Sequence, residues 1–450
     1  VTQYADFRGF LGYLEARGKL LRVRKEVDTR FDIAAGIRKV SDTGGPALLF
    51  ENVRGYPGWR VAAALFATRE LLALALEVPE AQMLSHYARL EKKFLPTRQV
   101  DSGPVQEVVL TGDEIDVTKL PIAVHSEYDK GPYVTIGVQF AEDPETGAGN
   151  LGIHRMLVLG KDRMTVWSPP DHHLGRLIAK AEDRGQGLPV ATIIGADPRI
   201  IIASQVKAPL GVNEMEIAGG MKGEPIEMVR CKSIPISTPA DAEICIEGVT
   251  VPGERIIDGP FAEYTGCYSE SKQSPVLRVT AVTMRRDAIY HTCLTGFPVT
   301  ENHVLIELPN ITRIMEDVRR IVPEVRGVHL TPGGTFRNHV VVSIKKRHSE
   351  EARNVILALL SSAIGIKQVT VVDDDIDVAS PLEVEWALST RMQPDRDIVI
   401  VPRLACSTLD PSVPAPRTTA GWGIDATKPL RDNKGFEKVR VPGVEKIDYL

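Results

Sequence analysis

The chain of 450 residues is too long for a single simple core, and its composition, 43% hydrophobic and 25% charged, is that of a globular protein of roughly two or three domains. Lys plus Arg (54) nearly balances Asp plus Glu (59) for a net charge of −5, which gives no electrostatic case for nucleic acid or an anionic membrane as partner. The 5 cysteines, an odd number without a C-x-x-C pair, speak against a disulfide framework or zinc ribbon and suit a reducing cytoplasm.

The opening VTQYADFRGFLGYLEARGKL lacks the apolar stretch of a signal or transit peptide. Phe7, Phe10, Leu11 and Leu14 stand at helical spacing over 5–20. LLRVRKEV then alternates as a strand, and a helix over 30–41, a strand over 46–53 and a helix from 68 complete an α/β opening section. The most apolar stretch, 61–78, is interrupted by Arg69 and Glu70, so no membrane span is expected.

From 105 the pattern becomes β-rich: VQEVVLTG, YVTIGVQFAED, LGIHRMLVLGKDRMTVW, ICIEGVTVPGE and VLRVTAVTMRRDAIYHTCL are joined by Gly, Pro and Asp turns. Such runs predict a barrel-like domain of non-contiguous strands, interrupted by helices over 174–184 and 214–222. After 300, helices and strands alternate again as a second α/β domain, in which Ser380, Pro381 and Glu383 form a capping box. The acids of VVDDDID, at a strand end, are read as caps for the next helix, and the Pro-, Gly- and Thr-rich tail after 410 as loops.

None of the common local signatures for nucleotides, zinc proteases or serine hydrolases is present. The polar segments that draw attention are NLGIHR (150–155), PPDHHLG (169–175), GVNEMEI (211–217) and IDGPFAEY (257–264). In the last, Asp258 and Glu263 flank Gly259-Pro260 on a bend, with no nearby cation along the chain. Each has a plain alternative: a polar turn, a solvated helix cap at His172 and His173, a dipole-stabilised Glu214, an edge-strand Arg155.

Together and in this order, these segments with GEPIEMVRCKS…PADAEICIEGV and WALSTRMQPDRDIVIVP make the chain resemble the UbiD-like decarboxylase family. Within it, the pattern is similar to the bacterial hydroxyarylic-acid decarboxylases of the 4-hydroxybenzoate and vanillate type. The resemblance implies an α/β (α+β) fold: an N-terminal α/β segment (1–104), a split β-barrel flavin-binding domain (105–300), a connecting helix (301–322) and a C-terminal α/β oligomerisation domain with tail (323–450). It implies prenylated FMN as cofactor, with Mn(II) or Mg(II) bound by Asn150, His173 and Glu214, and K+ nearby. His172 is the alternative ligand if the register moves by one residue, and Ile153, His154, Arg155 and Lys367 are expected beside the cofactor.

The family's Glu-Arg-Glu trio would here be Asp258, Arg155 and Glu263, with Asp258 one methylene shorter than usual. The implied activity is reversible, non-oxidative decarboxylation of an aromatic or heteroaromatic α,β-unsaturated acid through a covalent substrate–cofactor adduct. Arg155 orients the carboxylate, Asp258 holds Arg155, and Glu263 supplies the proton that replaces CO2. His303, Thr408 and Leu409 are expected at the substrate pocket. A flavin prenyltransferase is implied as cofactor supplier, and a homodimer or homohexamer as the assembly. The alternatives are a carboxylase acting on a phenolic acceptor and a catalytically decayed flavin-binding oligomer.

Overall fold

A computed structural model describes residues 2–362, 364–405, 407, 409–413, 418–431 and 433–446. It divides into two units, Val1–Pro309 and Asn310–Leu450, with the division inside the helix Glu301–Arg319 at its internal proline.

The first unit opens with helix Phe7–Ala16, capped by Asp6, whose carboxylate accepts the Gly9 N–H at 2.8 Å. Its apolar positions Phe7, Phe10, Leu11 and Leu14 are buried. A four-stranded sheet runs in the order Leu20–Val23, Ala47–Phe50, Arg60–Ala63, Ile289–His291. The last of these comes from far along the chain and pairs parallel to Arg60–Ala63, so the opening segment shares one core with the β-rich region.

The main sheet of this unit is antiparallel, in the order Arg163–Thr165, Lys272–Met284, Ile244–Asp258, Pro189–Ile194, Val138–Glu142, Gly149–Ile153, with Val108–Thr111 also paired to Lys272–Met284. Its spine is the ladder between Ile244–Asp258 and Lys272–Met284, with register shifts at Glu247/Gly248 and Thr250/Arg255. Irregularities of this kind bend and twist a long strand, and here they precede its end at Asp258. Pro189–Ile194, absent from the sequence reading, is a short apolar run without the alternation that marks a half-exposed strand. Helices His173–Glu182 and Glu214–Lys222 occur where periodicity places them.

The second unit is a five-stranded sheet in the order Val325–Leu330, His339–Ile344, Gln368–Asp373, Thr418–Ala426, Ile398–Ala405. The three inner strands are parallel and the two outer pairings antiparallel. The tail is thus not all loop: Thr418–Ala426 is an inner strand. Its glycines hid it, and they are needed because helix Glu351–Leu360 presses close; a Cβ on Gly423 would lie 2.3 Å from Ile356 Cγ2.

Two further readings are revised. The capping box is half made: Ser380 Oγ accepts the Glu383 N–H at 3.3 Å, but the Glu383 carboxylate takes the Asp377 N–H (2.7 Å) and Lys438 Nζ rather than the cap's own amide. The strand-end acids Asp373 and Asp375 chiefly hold Arg391, with Nη–Oδ distances of 2.7 to 2.9 Å. Among the described residues, no helix is long and apolar enough to cross a membrane.

Filling the close approach at Gly423 tests the packing of the second sheet. Gly423→Ala is expected to lower stability by about 1–3 kcal/mol in urea unfolding; an unchanged midpoint would contradict the contact with Ile356.

Candidate functional site

Strand Gly149–Ile153 ends two residues before Arg155, and the spine strand ends at Asp258. Gly259 then turns the chain at φ +100°, where a Cβ would lie 3.2 Å from Glu270 O, so only glycine is at ease. The short hairpin Phe261–Ala262 with Tyr268–Ser269 follows, and Glu263 leaves it with its N–H donated to Cys267 O at 3.0 Å.

These turns bring Arg155, Asp258 and Glu263 together in the interior. Arg155 Nε donates to Asp258 Oδ1 at 3.1 Å, Nη2 lies 3.0 Å from the same oxygen, and Nη1 donates to Glu263 Oε1 and, at 3.3 Å, to Ser269 Oγ. The guanidinium also faces the Phe261 ring at 4.8 Å. The cation that IDGPFAEY lacks is therefore Arg155, and the shorter Asp258 reaches it directly. Two atoms stay uncommitted among the described residues: Arg155 Nη2 has no acceptor in hydrogen-bond geometry, and Glu263 Oε2 accepts from no protein donor.

Asn150, His173 and Glu214 also converge. Asn150 Oδ1 lies 3.1 Å from His173 Nδ1, and Glu214 Oε2 accepts the N–H of Leu151, next to Asn150, at 2.9 Å. His173 and Glu214 each begin a helix; the His173 helix has no side-chain cap, so its first amides open near these side chains, whereas Asn213 Oδ1 accepts the Met215 N–H at 3.1 Å in the other. Burial pushes the Glu214 carboxyl up to about 7, and among the described residues no lysine or arginine pairs with it. His173 is held below the usual histidine range by burial and by Arg176, which keeps its imidazole neutral and able to ligate. An amide oxygen, a neutral imidazole and a desolvated carboxylate without a counter-ion fit a hard divalent cation.

His172 is exposed at the helix N-cap, and it is His173 that meets Asn150. Between the two groups, Ile153 ends its strand opposite Val138, and the His154 N–H donates to Gln139 Oε1 at 2.7 Å. Burial, then His172, push the half-buried His154 ring down to about 3.

The loop before Tyr133 ties the trio to a cavity of about 540 Å³ lined by Phe31, Ala34, Arg38, His125, Leu294 and Phe297, among others. Asp129 accepts the Ser126 N–H and the Ala262 N–H, each at 2.9 Å, so one carboxylate joins the cavity wall to the Glu263 hairpin. On the other side, a Cβ at Gly266 would lie 3.2 Å from Phe297 Cα. His303 is fully buried: its Nδ1 accepts the Thr300 N–H at 3.0 Å, so Nε2–H donates to Tyr264 O at 2.7 Å. It braces the hairpin, with both ring nitrogens engaged by the protein.

Lys367 lies in the second unit, where Nζ donates to Asp410 Oδ2 (2.7 Å) and Ser412 Oγ (2.6 Å). Leu409 is half-buried in the adjoining turn, and Thr408 lies outside the described residues. Cys231, Cys245 and Glu247 bring one donor atom each within 4.8 Å of one another. Glu247 there accepts from Lys232 N (2.9 Å), Ser233 N (2.7 Å) and Ser233 Oγ (2.8 Å), while the Cys245 thiol and burial push the Cys231 thiol up. The Cys231 thiol stays protonated, and the cluster is packing. Sequence reasoning missed Tyr133, Thr165, Ser269 and Asp129, whose contacts come from strands and loops without a local signature.

Comparison with known proteins covers nearly the whole chain. Family models of the 3-octaprenyl-4-hydroxybenzoate carboxy-lyase (UbiD) match as its N-terminal domain over residues 11–91, its Rift-related domain over 98–298 and its C-terminal domain over 303–426. The anhydromevalonate phosphate decarboxylase of Methanosarcina mazei is 35% identical over 97% of this chain and 99% of its own. The UbiD-class enzyme HmfF of Pelotomaculum thermopropionicum, in complex with FMN, superimposes with a TM-score of 0.91 at 42% identity, covering 99% of this chain and 100% of that one. An evolved dimeric form of HmfF in complex with prFMN gives 0.87 at 41%, over 99% of each chain. The 3,4-dihydroxybenzoic acid decarboxylase of Enterobacter cloacae, an apo structure, gives 0.88 at 28%, over 97% and 96%.

The helix that carries His303 begins with Glu301, fully buried, whose Oε1 accepts the Phe66 N–H at 3.1 Å. Burial raises this carboxyl from 4.5 to about 8. The folded chain thus holds the proton better than the unfolded one: the contribution is complete below about pH 4.5 and is lost as pH rises through about 8. Urea unfolding at stepped pH is expected to show a shallower decline across that window in Glu301→Gln than in wild type; matching slopes would refute the assignment.

Proposed function

Because the chain belongs to the UbiD family of carboxy-lyases, we propose that it decarboxylates an aromatic or heteroaromatic α,β-unsaturated carboxylic acid with prenylated FMN as cofactor. The observation that carries this reading is the buried Arg155 between Asp258 and Glu263, where, among the described residues, Arg155 Nη2 has no acceptor in hydrogen-bond geometry and Glu263 meets Arg155 through Oε1. The prFMN complex of HmfF supports the cofactor, and the Enterobacter relative supports an aromatic acid, as do Phe31 and Phe297 on the cavity wall. The 35% identity to the archaeal enzyme supports a second reading, in which the acid is anhydromevalonate phosphate.

Loss of CO2 from an sp2 carbon leaves an electron pair that no side chain stabilises well, and the bound flavin supplies the electron sink. Asn150, His173 and Glu214 would hold a Mn(II) or Mg(II) ion against the flavin phosphate, beside the helix amides. Arg155 binds the substrate carboxylate through Nη2, a charge-assisted contact that weakens as neutral CO2 forms. Asp258 keeps the guanidinium plane fixed, and Glu263, against the apolar Phe261–Ala262 hairpin, delivers the proton to the carbon that CO2 leaves. The same residues serve the reverse carboxylation. A homodimer or larger homo-oligomer in the cytoplasm, supplied by a flavin prenyltransferase, completes the reading; the dimeric form of HmfF supports the assembly.

Expression with and without a flavin prenyltransferase, followed by mass spectrometry of the released cofactor, tests the first claim: prenylated FMN is expected only with the prenyltransferase. CO2 release should then be measured from aromatic acids and from anhydromevalonate phosphate, whose turnover alone would favour the second reading. Glu263→Gln is expected to lower turnover by about 100-fold or more while retaining flavin; wild-type rates would remove its role as proton donor. Asn150→Ala and Glu214→Ala are expected to lose flavin, and full occupancy in both would end the metal assignment.

A further inference from the structure

The carboxylate of Asp258 receives more than Arg155. Its Oδ1 accepts Arg155 Nε–H and the Tyr133 hydroxyl, both at 3.1 Å, and its Oδ2 accepts the Thr165 hydroxyl. Neither hydroxyl is at liberty to turn. The Tyr133 oxygen accepts the Gly259 N–H at 3.1 Å, and the Thr165 oxygen accepts the Leu157 N–H at 3.0 Å. A hydroxyl has one proton, and where a backbone donor occupies the oxygen on one side, that proton goes to the acceptor on the other. All three residues are completely buried, so water does not compete for these bonds. Tyr133 and Leu157 also pack with Phe261 in one small apolar cluster, the two aromatic rings 4.6 Å apart.

We propose that Tyr133 and Thr165 are positioning residues that fix Asp258 as the anchor of the Arg155 fork, leaving Glu263 as the carboxyl of the pair that exchanges a proton with substrate. The last step rests on the decarboxylase reading above; the anchoring itself does not. With donors on both oxygens Asp258 acts as an acceptor only, whereas Glu263 is bonded through Oε1 and keeps Oε2 for the reaction. The two hydroxyls also account for how an aspartate serves here. The short side chain meets Arg155, Tyr133 and Thr165 together, and losing either hydroxyl removes one of the donors that hold the carboxylate against the guanidinium. Their backbone partners come from the Gly259 turn and from the strand Met156–Leu157, so the anchor is referenced to the sheet rather than to a mobile side chain.

Three substitutions separate positioning from packing. Thr165→Val keeps the shape and removes the hydroxyl, Thr165→Ser keeps the hydroxyl, and Tyr133→Phe keeps the ring. In flavin-free protein, the Arg155 Nε–H resonance, assigned by its loss in Arg155→Lys, is expected to exchange slowly with solvent in wild type and Thr165→Ser. It should exchange at least about tenfold faster in Thr165→Val and Tyr133→Phe. In flavin-loaded enzyme, with an acid the wild type decarboxylates (3,4-dihydroxybenzoate first), kcat/KM is expected to fall about 10-fold or more in Thr165→Val and to be largely recovered in Thr165→Ser. Wild-type exchange in both hydroxyl-deleted variants overturns the proposal, as does equal kcat/KM in the Val and Ser variants. Tyr133→Phe tests the same anchor independently should Thr165→Val not fold. The exchange measurement reads the anchor even in a protein that decarboxylates nothing, and a decarboxylase with unchanged exchange defeats this inference alone.

Discussion

A guanidinium cannot shed its proton, so a buried arginine must be surrounded by acceptors, and removing one costs several kcal/mol. Arg155 imposes that requirement on the first unit. Its acceptors are Asp258, at the end of the 15-residue spine strand, and Glu263, beyond the Gly259 turn. The register shifts of the spine, the left-handed Gly259, the hairpin after it, Asp129 holding Ala262 and His303 holding Tyr264 all serve to bring two carboxylates to one cation. One positive charge thus faces two carboxylates, the arrangement on which the proposed chemistry rests.

The second group of residues is tied to the first by a single strand. Asn150 lies within Gly149–Ile153, and Arg155 follows its end, so five residues of chain separate Asn150, which meets His173, from the trio. At about 3.3 Å per extended residue their backbones lie no more than about 17 Å apart. A cofactor with a phosphate at one end and a reactive ring at the other has dimensions of that order. One stiff, paired strand thus sets the separation of the proposed anchor and the proposed reacting centre, a geometry less open to drift than two loops would provide.

Much of the element order was legible from pattern. The helical spacing of Phe7, Phe10, Leu11 and Leu14 corresponds to a helix with those residues inside, and the β-rich run ICIEGVTVPGE to most of the long strand Ile244–Asp258. Thr418–Ala426 was not legible, because the glycines that admit helix Glu351–Leu360 erase the side chains a strand reading depends on. Glu383 was assigned to its own helix cap and instead meets Asp377 and Lys438, partners that spacing does not encode. At the site, the local pattern drew attention to Asp258 and Glu263 on their bend but gave them no role; the resemblance of the whole chain to one family implied the roles and named Arg155 as their partner. Tyr133 and Thr165 escaped even that, since a hydroxyl in a strand acquires a role only from the backbone amide that orients it.

By itself the sequence determined the inventory: two α/β regions around a β-rich middle, near-balanced charge, two carboxylates on a Gly-Pro bend with no neighbouring cation, and a His-His pair opening a helix. Those follow from periodicity and from the local sterics of glycine and proline, which act over a few residues. Only the tertiary structure decided that Arg155 answers Asp258 and Glu263 from about a hundred residues away, that His173 rather than His172 meets Asn150, and that Asp258 is held by two hydroxyls. The reason is range: hydrogen bonds and ion pairs discriminate over a few ångströms, and which groups come within that range is set by strand pairing between distant parts of the chain.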